Sequence, residues 1–271
     1  MNISVKDLYF SYPGGTEALR GISLEIHSGQ RVAIVGQNGA GKTTLVKHFN
    51  ALLRPTRGTV TVGDWNTRTH TVAQMAQRVG FVFQNPADQI FNQRVADEVA
   101  FGPRNLRLAQ AEIECRVKAS LERVGLTDMR DAHPYDLLPA QCKWVALASV
   151  LAMDTPILVL DEPTIGQDGR GLVQLGALID GLAQAGKTIV AISHDIDFCA
   201  EHFERFIVMK EGRAILDGDK KEVLVQRELL AETFVEPPQI TRLGLALELK
   251  RPVTTVSEFL ENFAKTISHS T

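Results

Sequence analysis

Gly36-Gln37-Asn38-Gly39-Ala40-Gly41-Lys42-Thr43-Thr44 fits the pattern G-x-x-x-x-G-K-[ST]. The apolar run Val32-Ala33-Ile34-Val35 before it reads as a buried strand, and Thr44-Leu45-Val46-Lys47-His48-Phe49 after it reads as a helix. Glycines in such a turn let backbone N–H groups curl around an anion with no Cβ in the way. The helix N-terminus that follows adds partial positive charge. In that geometry Lys42 reaches the β- and γ-phosphates of a nucleotide, and the Thr43 hydroxyl is placed to ligate Mg²⁺. Gly36 through Thr44 are therefore the candidate phosphate-binding residues.

Working outward, short β-type runs flank the loop on both sides. Ile3 to Val5 and Ile22 to Ile26 precede it, set apart by the turn signals Pro13-Gly14-Gly15 and His27-Ser28-Gly29. Gly58 to Gly63 alternates as an exposed-edge strand should, and Val79 to Phe83 is a further strand, ending at Gln84. From about 86 to 151 the character changes, and residues 109–124 carry apolar side chains at helical spacing, so a helical insertion is expected. Beyond it, Ile157-Leu158-Val159-Leu160-Asp161-Glu162 reads as a buried strand ending in two acids. A helix over 171–182 and the strand Thr188 to Ser193, ending at His194-Asp195, follow. Phe206 to Leu216 then reads as a hairpin. Alternating short apolar strands and helices predict an α/β fold with a mostly parallel sheet, an antiparallel β edge and a helical subdomain. After about residue 225 the pattern weakens to a helical tail, in which Thr255-Val256-Ser257-Glu258 fits a capping box. The expected division is 1–225 and a C-terminal extension, 226–271.

Composition excludes several classes. The chain has 271 residues, 44% of them hydrophobic, with a formal net charge of −3, and no basic run stands out, so a nucleic-acid partner is not expected. Cys115, Cys142 and Cys199 are scattered without metal-ligand spacing; such a sparse, odd set suits a reducing compartment and buried thiols rather than bridges. Met1 to Asp7 has no long apolar stretch, so no signal peptide is expected. No apolar run approaches the ~20 residues that span a bilayer. A membrane role must therefore come through a partner.

Four residues downstream belong with the phosphate loop. Asp161 ends a buried strand, where a carboxylate can hold Mg²⁺ through water. Glu162 beside it can orient an attacking water or accept its proton. Gln84 ends a neighbouring strand and can reach metal and water, and His194 ends another and can contact the γ-phosphate. All four fall at strand C-termini, where open α/β sheets bind ligands. An acid pair at a strand end is equally often a turn or cap, and a lone Gln or His is mostly structural. It is their occurrence together with the loop that carries the reading.

With these residues in place, nearly the first 225 residues resemble the nucleotide-binding subunit of an ABC transporter. The resemblance implies that Gly36 to Thr44 is the Walker A motif, Leu158 to Glu162 the Walker B motif, Gln84 the Q-loop residue and Ile165 to Asp168 the D-loop. It also makes His194 the switch histidine and Tyr12 the aromatic that stacks on adenine. It implies ATP and Mg²⁺ as ligands and a place on the cytoplasmic face of the cell membrane. The segments Gln84 to Phe91 and Val95 to Leu106, with the C-terminal extension, are most similar to the ATPases of energy-coupling factor (ECF) transporters, which import vitamins and transition-metal ions. In that family the extension helps two ATPases pair, beside a transmembrane coupling subunit and a substrate-binding membrane subunit.

One motif departs. Where the family has Leu-Ser-Gly-Gly-Gln, this chain has Leu137-Leu138-Pro139-Ala140-Gln141, and Trp144 stands where an arginine is expected; the flanks His133 to Asp136 and Val145 to Ser149 keep the register. The family's serine hydroxyl and glycine N–H groups close over ATP held by the opposite subunit. Leu138 has no hydroxyl and Pro139 no N–H, while Ala140 adds a methyl group. The expectation is an asymmetric heterodimer in which this chain binds ATP but cannot complete its partner's site. A regulatory nucleotide-binding subunit with little turnover, or a soluble ABC ATPase outside transport, are the alternatives.

Overall fold

The computed structural model describes residues 1–249 and 252–268. Among these the chain runs β1 (Ile3–Ser11), β2 (Glu17–Ile26), β3 (Arg31–Val35), α1 (Lys42–Val46), β4 (Arg57–Val62), β5 (Trp65–Asn66), α2 (Val72–Met75), β6 (Val79–Val82), α3 (Val95–Asn105), α4 (Gln110–Arg123), α5 (Pro139–Leu151), β7 (Ile157–Asp161), α6 (Gly169–Gln184), β8 (Thr188–Ile192), α7 (Ile196–His202), β9 (Arg205–Lys210), β10 (Arg213–Asp219), α8 (Lys220–Val223), α9 (Arg227–Ala231), α10 (Gln239–Ala246) and α11 (Val256–Ser268).

Two sheets organise these elements. The larger has the order β10-β9-β3-β8-β7-β6, with only β10 antiparallel to its neighbour. Every residue of β6, β7 and β8 is buried. Successive side chains of a strand point to opposite faces, so the two faces have separate cores. Val35, Leu158, Leu160, Ile189 and Ala191 pack under the helices α3 to α7, while Val32, Ile34, Ile157, Val159, Val190 and Ile192 pack under the smaller sheet and α1. Burial on both faces is why these strands are unbroken apolar runs in the sequence. The smaller sheet, β2-β1-β4-β5, is wholly antiparallel.

Some expectations are adjusted. The helix after the loop begins at Lys42, two residues early, and gives way to turns after Val46. Gly58 to Gly63 is not the outermost strand: β4 lies between β1 and the two-residue β5, because the chain doubles back at Trp65. Its alternation is real, with Val60 and Val62 fully buried. The antiparallel part is larger than an edge, being a second sheet of four strands. Of the three thiols, none paired, Cys199 is buried, Cys142 half-buried and Cys115 exposed, the last on the outer face of α4.

Residues 86–151 hold α3, α4 and α5. In α4 the buried positions Ile113, Val117 and Leu121 recur every fourth residue, the stripe of an amphipathic helix. The Gln89 side chain joins this region to the sheet: its Oε1 accepts from Phe83 N–H at 3.2 Å and its Nε2 donates to Ala146 O at 2.7 Å. In the tail, Thr255 Oγ1 accepts from Glu258 N–H as a capping box requires, but Glu258 Oε2 reaches back to Thr254 N–H, one residue further than the expected pairing. The tail is tied to α7 by Gln239 N–H donating to Asp197 and Val256 N–H donating to Glu201. Residues 250, 251 and 269–271 of the expected extension lie outside the described residues.

Candidate active site

The C-terminal ends of β3, β8, β7 and β6 lie side by side, and each delivers part of the site. The loop after β3 closes on the sheet with almost no clearance. Gly36 has φ 140°, and a Cβ there would lie 2.2 Å from Met209 O, so only glycine fits. Gly41, at φ 98°, makes the left-handed entry into α1. Lys42 is 7% exposed, and its Nζ bridges the loop by donating to Gly36 O at 2.6 Å and Gln37 O at 3.0 Å. Thr43 Oγ1 donates to Asp161 Oδ1 at 3.3 Å, which ties α1 to the end of β7.

Glu162, the next residue, is held at four points. Its φ is +50°, the left-handed region, which costs a non-glycine residue about 1 kcal/mol or more. Its N–H donates to Ile192 O at 2.9 Å, and its carbonyl accepts from Lys143 Nζ at 2.6 Å. Its carboxylate meets His194, with Oε1 3.0 Å from Nε2 and Oε2 accepting the His194 N–H at 3.2 Å. Tyr12 stands at the rim, its ring edge-on to Phe10 and its hydroxyl 3.1 Å from Thr44 Oγ1.

A cavity of about 350 Å³ is lined by Tyr12, the loop from Asn38 to Thr44, Gln84, Glu162 and His194. Of the predicted site residues, all but Gly36, Gln37 and Asp161 line it. Asp161 lies just behind the wall, against Thr43, and Gly36 and Gln37 form the loop's base under Lys42. A larger cavity of about 550 Å³ lies between α7 and the tail, but Asp195, Asp197 and Glu201 give it an acidic wall that repels phosphate. Chemistry, not size, selects the first.

Burial is the leading electrostatic cause throughout the site. It pushes the Asp161 and Glu162 carboxyls above the ordinary range, opposed by Lys42, Lys143 and the hydrogen bonds each accepts. It pulls the Lys42 and Lys143 ammoniums down, opposed by both carboxylates. Burial, helped by the nearby Lys42, lowers His194, whose Nε2 lies 3.0 Å from Glu162 Oε1. Thr43 hydroxyl and Asp161 carboxylate are hard oxygen donors, the kind Mg²⁺ takes beside nucleotide phosphates.

The ABC transporter family profile matches residues 19–165, more than half of the chain. The chain belongs to the ABC transporter ATP-binding family. As such it is an ATP-binding ATPase of a transport system, and no helix among its described residues is long and apolar enough to cross a membrane. It is 40% identical, over 243 residues, to the energy-coupling factor transporter ATP-binding protein EcfA of Methanocaldococcus jannaschii, covering 89% of this chain and 87% of that one. Among solved structures it is similar to cbiO1 from Clostridium perfringens, part of the ABC transporter complex cbiONQ, with a TM-score of 0.76 and 35% identity over 91% of this chain and 98% of that one. A third similarity is to an ATP-binding cassette solved as a dimer in a post-hydrolysis state with ADP and Pi, at a TM-score of 0.74 and 27% identity, covering 80% and 98%.

The degenerate motif of this ABC protein sits at the start of α5. Pro139 is the first helical residue, a position it tolerates because no N–H is needed there. Leu138 is 68% exposed and offers no acceptor; its own N–H donates to Gln141 Oε1 at 3.0 Å. Trp144, in place of an arginine, is buried beside Phe83 and Leu160. Sequence reasoning missed Lys143. A lone lysine in an apolar helix gives no periodic signal, and only the fold brings its ammonium under Glu162.

Proposed function

We propose that this chain is the ATP-hydrolysing subunit of an ECF-type importer, working as one half of a heterodimer with a second ATPase. The observation that carries the reading is a contrast within one chain. Tyr12, the phosphate loop, Gln84, Glu162 and His194 line one cavity, while Leu138-Pro139-Ala140 starts a well-formed α5 without the hydroxyl and the N–H that serine and the first glycine would supply.

Tyr12 stacks on adenine, and the amides from Gly36 to Thr44 with Lys42 hold the β- and γ-phosphates. Thr43 and Asp161 would hold Mg²⁺, which when bound would supply charge neutralisation on the transferring phosphoryl group. Gln84 and Glu162 orient the attacking water, and Glu162, already hydrogen-bonded to His194, accepts its proton. Loop amides and Lys42 stabilise the charge that develops.

The surface near Gln84 receives a transmembrane coupling subunit, holding this chain at the cytoplasmic face of the membrane. Phe91 and Phe101 support this, as an edge-to-face aromatic pair 61% and 43% exposed. The tail from about 226 serves pairing between ATPases; Phe234, Leu243 and Leu260 are exposed apolar side chains there. A separate membrane subunit selects the cargo, a vitamin or transition-metal ion.

Affinity purification of this chain from its native membranes tests the proposal. The expected result is recovery of membrane proteins together with a different ATPase whose Leu-Ser-Gly-Gly-Gln is intact. Recovery of a complex holding two copies of this chain and hydrolysing ATP at full rate would overturn the heterodimer.

A further inference from the structure

Glu162 needs its left-handed backbone to do two things at once. Its N–H continues the pairing with the end of β8, at Ile192 O, while its side chain turns back to His194 at the cavity. A non-glycine residue relaxes from φ +50° toward the ordinary regions unless its surroundings hold it. On the carbonyl side the restraint is the ammonium of Lys143, at 2.6 Å. This bond crosses from α5 to the residue that follows β7. Lys143 is 9% exposed, and burying an ammonium is costly unless it is well partnered. A methionine would fill the same volume without that cost. The lysine thus occupies a place where packing alone favours an apolar residue.

We infer that Lys143 is a positioning residue: by holding the Glu162 carbonyl it fixes the left-handed turn that aims the Glu162 carboxylate at His194 and the phosphate cavity. The inference rests on the reading of Glu162 as the group that orients water. Lys143 is not among the residues that line the cavity. Its effect is on the rate of the chemical step rather than on nucleotide binding. Gln167 and Asp161 lie with it around a small space of about 20 Å³.

The test uses the full chain in its transporter complex, purified through a tag on this chain. Lys143→Met keeps the volume and removes the ammonium; Lys143→Arg keeps the charge and the donors. Glu162→Gln is the control, and thermal unfolding is read for each. The expected result is a kcat for Lys143→Met lower by on the order of 10- to 100-fold, the usual consequence of a misplaced catalytic group. KM for ATP should stay within about twofold, and Lys143→Arg should recover most of the lost rate. A Lys143→Met complex with unchanged kcat overturns the inference. So does a parallel loss of kcat, ATP affinity and thermal stability that Lys143→Arg does not restore, which would make Lys143 structural. If Glu162→Gln itself keeps full activity, the role of Glu162 is wrong, and the inference falls for that separate reason.

Discussion

Replacing Leu138-Pro139-Ala140 by Ser-Gly-Gly should turn an almost inactive isolated chain into an ATPase. In the structure the α5 N-terminus offers an incoming γ-phosphate nothing from two of its usual sources: Leu138 has no hydroxyl, and Pro139 has no N–H. The Leu138 N–H is already taken by Gln141. The replacement supplies one hydroxyl and one N–H, and each hydrogen bond to a charged group contributes ~1.5–3 kcal/mol. Two at the lower end give ~3 kcal/mol, or about 100-fold in rate at ~1.4 kcal/mol per decade. The same change weakens α5 itself, since a glycine in a helix costs about 1 kcal/mol relative to alanine. The variant should therefore melt several degrees lower while hydrolysing ATP faster, which separates catalysis from stability. The assay is steady-state ATPase of the purified chain, unmodified and repaired, with Glu162→Gln as the blank. Equal rates for the unmodified and repaired chains, well above the blank, would refute the reasoning. So would a repaired chain that binds ATP as before yet stays at the blank.

Other predictions follow from single contacts. Glu162→Gln should lower turnover by about 10²–10⁴-fold, the range for loss of a general base, while ATP binding measured by calorimetry persists. Tyr12→Ala should weaken ATP binding by ~0.5–1.5 kcal/mol, about 2- to 12-fold, whereas Tyr12→Phe keeps the ring and most of the affinity. His48 is fully buried against Phe10 and donates through Nδ1 to Thr44 O. Burial lowers its pKa below the ordinary histidine value. The unfolded chain then takes up a proton that the folded chain excludes, so this contribution to stability is intact above pH ~6.5 and is lost as the pH falls below it. Urea unfolding should show the native chain losing up to ~1.4 kcal/mol per pH unit more than His48→Gln below that point; parallel pH curves would contradict this.

Much of the site is legible in the sequence because the strands that carry it are buried on both faces. Runs such as Val32 to Val35 and Ile157 to Leu160 have no polar interruption, so the residue where each run stops marks the functional edge of the sheet. What is not legible depends on long-range pairing. Nothing local tells β1 and β2 that β4 joins them in their own sheet, since β1 must find β4 about fifty residues away along the chain. The strand ends blur for the same reason: Asp7 sits at φ +49° and shifts the register between Val5 and Leu8, so β1 continues well past the short run Ile3 to Val5. The reach of Lys143 to Glu162, like that of Gln89 to Ala146, crosses elements that touch only in the finished fold.

The left-handed backbone at Glu162 has a consequence for anyone selecting hardier versions of this protein. Glycine would relax that backbone, and a neutral residue would relieve the burial of a charge, so substitutions here are rewarded by heat and punished by loss of turnover. A library screened for survival at high temperature alone would accumulate changes at this one position. Its winners would be robust proteins that turn ATP over about 10²–10⁴-fold more slowly.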